Sequence, residues 1–285
     1  MISGTRARLS AEIARQSRLA QEIARGQADI SSGKRLQTAS DDPAASARVA
    51  DIRRTQANQQ VWLANVEAAS SVAAQVDGTL TGVATAFDRA RELMLAASSD
   101  TLNDSDRSAI AVELRGIADD VASYAAEKDS RGYPLFPAGD ALLIPIAPSV
   151  RVAATASFAD VFQNVQTAGG AMDLEQIIRD AADAVEITDK TTRTAASATS
   201  LAAIESGADH LSSVRGEQGV RAARIDSVRE RLASGGLLLE EERGNLEGTD
   251  LTATIARINA KQLSLEAAQS VFARLNRRTL FDLLG

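Results

Sequence analysis

Residues 42–99 read DPAASARVADIRRTQANQQVWLANVEAASSVAAQVDGTLTGVATAFDRARELMLAASS. Asp42 before Pro43 is a helix start: the carboxylate caps free amide groups, and proline takes the first helical position, where no amide is needed. From there Ala45, Ile52, Gln59, Val66, Ala73, Leu80, Phe87 and Met94 recur every seventh residue, and only Gln59 among them is polar. A seven-residue apolar period held this long marks a coiled-coil-like helix. At 1.5 Å per residue it spans about 85 Å, more than a globular domain needs, so the length predicts a rod.

Downstream, Asn103 and Asp104 can cap a second helix in which Ile110, Leu114, Ile117, Val121 and Tyr124 alternate steps of four and three. The short connection predicts an antiparallel pair. Residues 131–170 hold four of the five prolines, Pro134, Pro137, Pro145 and Pro148. Apolar runs at 142–146 and 150–152 lie among them and read as one or two short strands or a hairpin. Helical signal returns at Asp173, with Leu174, Ile177, Ile178, Ala181 and Val185 on one side. The Thr/Ala/Ser stretch 188–200 is expected to be a kink or loop. Beyond it Ile204, Leu211, Gln218, Ile225, Leu232, Leu239 and Leu246 keep the seven-residue period, through a weak point at Gly235 and Gly236. Leu80, Phe87, Met94, Ile117, Val121, Ile225 and Leu232 are expected to share one core.

Both ends carry narrower stripes. At the N-terminus Ile2, Leu9, Gln16, Ile23 and Ile30 form one row, with Ile13, Ala20 and Gln27 at the alternate positions. At the C-terminus, after a cap at Thr249/Asp250, the row is Leu251, Ile258, Leu265 and Phe272, flanked by Ile255, Gln262 and Gln269. Such seams cannot bury themselves, so each terminal helix needs a partner. The fold class expected is therefore mainly α: an elongated antiparallel helical bundle or coiled coil with a small β-hairpin region, its N- and C-terminal helices paired. Residues 1–40 plus 249–285 are assigned to a terminal coiled-coil assembly domain. Residues 41–248 are assigned to a helical rod domain that contains the β/loop region at 131–170. The assembly interface is expected at Leu9, Ile13, Ile23, Ile30, Ile255, Ile258, Leu265, Phe272, Leu280, Phe281, Leu283 and Leu284.

Composition bears on chemistry. Aromatic residues make up 3% of the chain against 45% hydrophobic, which suits thin bundles of small apolar side chains. With no cysteine, disulfides and thiolate sites are excluded. His210 is the single histidine, without a ligand set around it, so no catalytic, cofactor-binding or metal-binding residue is expected. Ser32-Gly33-Lys34 fails as a phosphate loop, because Ala28 stands where the first glycine belongs and Arg35 where a hydroxyl is required. Asp41 and Asp42 read as caps, and Glu240 to Glu242 as a solvated face. No run reaches the roughly 18 apolar residues of a membrane span. Met1 to Leu9 lacks the apolar core of a cleaved signal. The net charge of −7 divides into +4 over residues 1–40, +2 over 249–285 and −13 between them. Basic ends without interleaved aromatics read as solvated helix faces rather than a nucleic-acid site.

The stretch QADISSGKRL at 27–36, followed by ASDDPAA at 39–45, resembles the N-terminal region of bacterial flagellins and hook–filament junction proteins. FDRAREL at 87–93 is similar to a further stretch of that family, and so are LEAAQ at 265–269 and TLFDLL at 279–284. Within the family these blocks look more like the junction branch than filament flagellins. The resemblance covers about 1–125 and 205–285. It implies a non-enzymatic structural subunit of the extracellular flagellum, exported without a cleaved signal. It also implies that the terminal helices pair and line a filament core. The implied partners are copies of itself, other hook-associated protein and flagellin, and a flagellar export chaperone. No cofactor, nucleic acid or membrane insertion is expected. Two rivals stay open on the residues alone: a filament flagellin that self-polymerises and, from another class, a basic-tailed coiled-coil adaptor or nucleic-acid-binding protein.

Overall fold

A computed structural model describes residues 2–99 and 101–281, with backbone alone for 2–6, 8 and 275–281. Helix accounts for 76% of the chain, in seven segments among the described residues, beside two small antiparallel hairpins. In order these are α1 (Ile2–Ser32), α2 (Pro43–Ala97), α3 (Asp104–Ala125), β1 (Leu143–Ala147), β2 (Val150–Ala153), α4 (Phe158–Phe162), β3 (Val165–Thr167), β4 (Gly170–Met172), α5 (Leu174–Glu186), α6 (Lys190–Glu247) and α7 (Leu251–Phe281). They form two compact units. One comprises residues 1–57 with 235–285, the other residues 58–234.

Local chemistry sets the helix boundaries. Pro43 opens α2, and Asp42 Oδ1 accepts from Ala45 N at 3.0 Å. Asn103 caps α3 in a reciprocal box with Asp106. The stretch 188–200, expected to be irregular, is helical from Lys190. Asp189 accepts from the amides of Thr191 and Thr192, and the Arg193 guanidinium closes on the carbonyls of Ile187 and Thr188. Capping replaces the missing apolar stripe, so only the short joint around 187–189 stays outside a helix. Helix α6 also runs unbroken through Gly235 and Gly236.

The second unit has two cores, which corrects the single core expected. In the first, Leu80, Phe87 and Met94 of α2 meet Leu114, Ile117 and Val121 of α3, Ile177 and Ile178 of α5, and Ile204 and Leu211 of α6. Phe87 is fully buried because Gly207 stands opposite: a Cβ there would lie 2.3 Å from the ring. In the second, Ile225 and Leu232 of α6 join Val66, Ala69 and Ala73 of α2 beneath Ile146 and Val152 of the β1–β2 hairpin. The hairpin separates the clusters because it covers the two long helices where α3 and α5 do not pack. Gln218 keeps the apolar register yet is buried, its amide donating to the Ala154 carbonyl at 2.9 Å. His210 Nε2 meets the Val161 carbonyl at 3.1 Å, a structural contact.

Candidate assembly interface

In the first unit α1 and α7 run antiparallel. The Thr249 amide donates to the Gly33 carbonyl at 3.1 Å. A Cβ on Gly26 would lie 2.8 Å from Ile258, so the glycine lets the two helices approach at that level. Further along, Lys261 Nζ sits 2.7 Å from the Glu22 carboxylate, whose pKa is lowered by that hydrogen bond and by the ammonium charge.

Burial shows which rows face inward. On α1 the half-buried or buried positions are Glu12, Gln16, Leu19, Ile23, Gly26 and Ile30, with Asp29 half-buried beside the last of them. On α7 they are Thr254, Ile258, Lys261, Leu265, Ala268 and Phe272. Both sets step four and three, as a two-stranded coil requires. One expected row on each helix faces inward in part: Gln16, Ile23 and Ile30 on α1 and Ile258, Leu265 and Phe272 on α7, while Leu9 and Leu251 of the same rows are exposed. The other is displaced by one residue: Ile13, Ala20, Gln27, Ile255, Gln262 and Gln269 are all exposed. Gly26 decides this, because only a residue without a side chain lets Ile258 close against α1.

The residues singled out from sequence therefore divide. Ile23 and Ile258 are buried, while Ile30, Leu265 and Phe272 are half-buried. Leu9, Ile13 and Ile255 are exposed at 38%, 54% and 47%, joined by Leu251, Leu263 and Val271, so apolar surface remains outside the pair. Leu280 and Phe281 lie on α7, where only the backbone is described. Leu283 and Leu284 lie outside the described residues. Sequence reasoning missed Leu19, Gly26, Thr254 and the Glu22–Lys261 pair. The alternative four-three phase through Gln16, Leu19, Ile23 and Gly26 was the available signal, hidden because two of those residues are not apolar.

The loop between α1 and α2 is built by the residues quoted for the family likeness. Gly33 ends α1 with φ +67°, a left-handed conformation that favours glycine. The Asp41 carboxylate accepts from the amides of Thr38 at 2.9 Å and Gln37 at 3.1 Å, and from Arg25 on α1. Those bonds, the Thr38 amide first, outweigh desolvation and bring its pKa from 3.8 to about 2. Glu242, expected on a solvated face, accepts from Nε and Nη2 of Arg48 across helices at 2.7 and 2.9 Å. No cluster of three metal-binding side chains occurs among the described residues.

A helical pair formed by both ends of one chain, joined to long antiparallel helices, defines a class of filament subunits. Residues 7–135 match the bacterial flagellin N-terminal helical region, and residues 201–284 match its C-terminal helical region. The chain belongs to the bacterial flagellin family. It is similar to flagellar hook-associated protein 3 of Escherichia coli K12, 25% identical over 89% of this chain and 90% of that one. The corresponding Salmonella typhimurium protein is 35% identical over 38% of this chain and 34% of its own length. Among solved structures, a hook-associated protein from Vibrio parahaemolyticus shares the fold with TM-score 0.66 and 19% identity, covering 73% of this chain and all of that one. Flagellar hook-associated protein 3 from Legionella pneumophila aligns with TM-score 0.62 and 14% identity, covering 68% and 98% of the two chains.

Proposed function

We propose that this chain is a structural, non-catalytic subunit of the bacterial flagellum that joins hook to filament by helical packing. The observation that carries the reading is the α1/α7 pair. It buries one row of each helix and leaves Leu9, Ile13, Leu251 and Ile255 uncovered, although the same helices bear the family likeness. Apolar surface on a thin helical pair gains free energy only when other subunits cover it. Similarity to hook-associated protein 3 along nearly the whole chain supports the junction role over that of a filament flagellin. In this reading the interface comprises Leu9, Ile13, Ile23, Ile30, Ile255, Ile258, Leu265 and Phe272, together with Leu280, Phe281, Leu283 and Leu284. The partners are copies of the chain, another hook-associated protein and flagellin, with an export chaperone before assembly, and the site of action is outside the cell.

A junction subunit meets different neighbours on its two sides, whereas a filament subunit must extend against itself without limit. Deleting the gene in its native bacterium should leave hooks without filaments and release flagellin to the medium. The purified protein, seeded or concentrated with precipitating salt, should form at most short stacks. Long homopolymer tubes in electron micrographs would overturn the junction role in favour of a filament flagellin.

A further inference from the structure

Two connections of the first unit meet edge to edge: the loop after α1 and the turn between α6 and α7. Lys34 and Gly248 form a one-residue antiparallel bridge. Beside it the Glu247 carbonyl accepts from the amides of Arg35 at 2.7 Å and Leu36 at 3.4 Å, and the Leu246 carbonyl accepts from the Arg35 guanidinium at 3.2 Å. These carbonyls belong to the last turn of α6, where no intrahelical donor remains. Cations are favoured there by the helix dipole. The Glu247 side chain adds an anion at the same place. It is 8% exposed, and its two oxygens face Arg53 of α2 at 2.5 Å and Lys34 of the loop at 3.6 Å.

We propose that Glu247 is the positioning residue of the terminal helix pair, holding the exit of α1 and the entry of α7 in one fixed relation. The proposal rests on the reading of α1/α7 as the assembly element. A shift of one residue in either connection would rotate a helix by about 100°. Ile258 would then leave Gly26 and turn outward, and Lys261 would leave Glu22. A single-residue bridge is too small to resist such a shift over helices of 31 residues each. The buried carboxylate supplies the resistance by tying α2, the α1–α2 loop and the end of α6 to one point. An exposed ion pair would add little. Here the Lys34 and Arg53 side chains are more than half exposed, but the carboxylate they share is buried beside helix carbonyls that the loop also fills, so removing it leaves that buried point without the anion both cations answer. The family-like block SSGKR at 31–35 thereby has a physical role, since its lysine, its arginine and its backbone all bind the end of α6.

The test uses the full chain, whose lack of cysteine makes spin labels at Ser17→Cys and Glu266→Cys unambiguous. Both positions are exposed and outside the seam. The labelled parent should give one narrow distance distribution. Glu247→Gln should broaden and shift it, and should raise amide exchange in 10–30 and 252–272 by about tenfold while 58–234 is unchanged. The full exchange Lys34→Glu/Arg53→Glu/Glu247→Arg, which reverses every charge of the cluster, should restore the narrow distribution, which a purely local packing role would not. An unaltered distribution in Glu247→Gln, or a failure of the full exchange to restore it, would overturn the proposal. Docking of Ile23→Asp onto hook ends separates this from the functional reading. If that variant docks normally, the functional reading fails. If it does not dock but Glu247→Gln keeps the parent distance, only the positioning role fails.

Discussion

Residues 58–234 and residues 1–57 with 235–285 use the same small apolar alphabet and the same seven-residue period, yet they bury it to different depths. In the first, Phe87, Leu80, Met94, Ile177 and Ile204 are enclosed by several helices and a hairpin. In the second, α1 and α7 enclose one row, Ala45, Val49 and Ile52 of α2 add a short buried stripe, and the connections carry backbone hydrogen bonds and the pairs Arg25 with Asp41, Arg48 with Glu242, and Arg53 with Glu247. Depth of burial, not periodicity, sets how much an isolated subunit stabilises each region. A unit with a thick core folds by itself, while a thin pair depends on neighbours to supply the rest of the apolar contact.

The largest effect expected is at Phe87. Phe87→Ala should lower stability by about 3–5 kcal/mol in denaturant unfolding, because a fully buried ring is lost and Gly207 opposite cannot fill the space. An unchanged midpoint would remove the thick core from the comparison. Gly207→Ala should cost about 1–3 kcal/mol by overpacking, since the added methyl must displace that ring.

Substitution in the thin pair should act on assembly more than on the isolated chain. Ile23→Asp or Leu265→Asp should abolish docking onto hook ends while the unfolding midpoint of 58–234 stays where it was, because a charge placed in the seam between α1 and α7 disrupts the pair whose outer face partners must cover. Normal docking by both variants would show that the α1/α7 seam is not the assembly element. In the monomer, amides of 10–30 and 252–272 should exchange well before those of 76–94 and 174–185. Equal protection would erase the contrast between the units.

The smallest effect is expected with pH. Asp41 has a folded pKa of about 2 against an ordinary 3.8, so its contribution is fully present above about pH 4 and is lost as pH falls toward 2. Exchange at residues 25–42 should therefore rise over that window before the thick core responds. Asp41→Asn should flatten the response.

Elements under local control were legible from the residues alone. Pro43 after Asp42, the cap at Asn103 and Asp104, and the apolar rows through Phe87 and Ile225 specify helices and an inward face from neighbours in the chain. The block at 27–45 also carried the family likeness that the domain matches bear out. Long-range packing was needed to settle which of two equivalent four-three phases on α1 and α7 turns inward, because Gly26 matters through the approach of Ile258 from the other end of the chain. The same holds for the division of the expected core at the β1–β2 hairpin and for Glu247. A lone carboxylate in a sequence has no stated partner, and its meaning arises when Lys34 and Arg53, distant along the chain, are folded onto it.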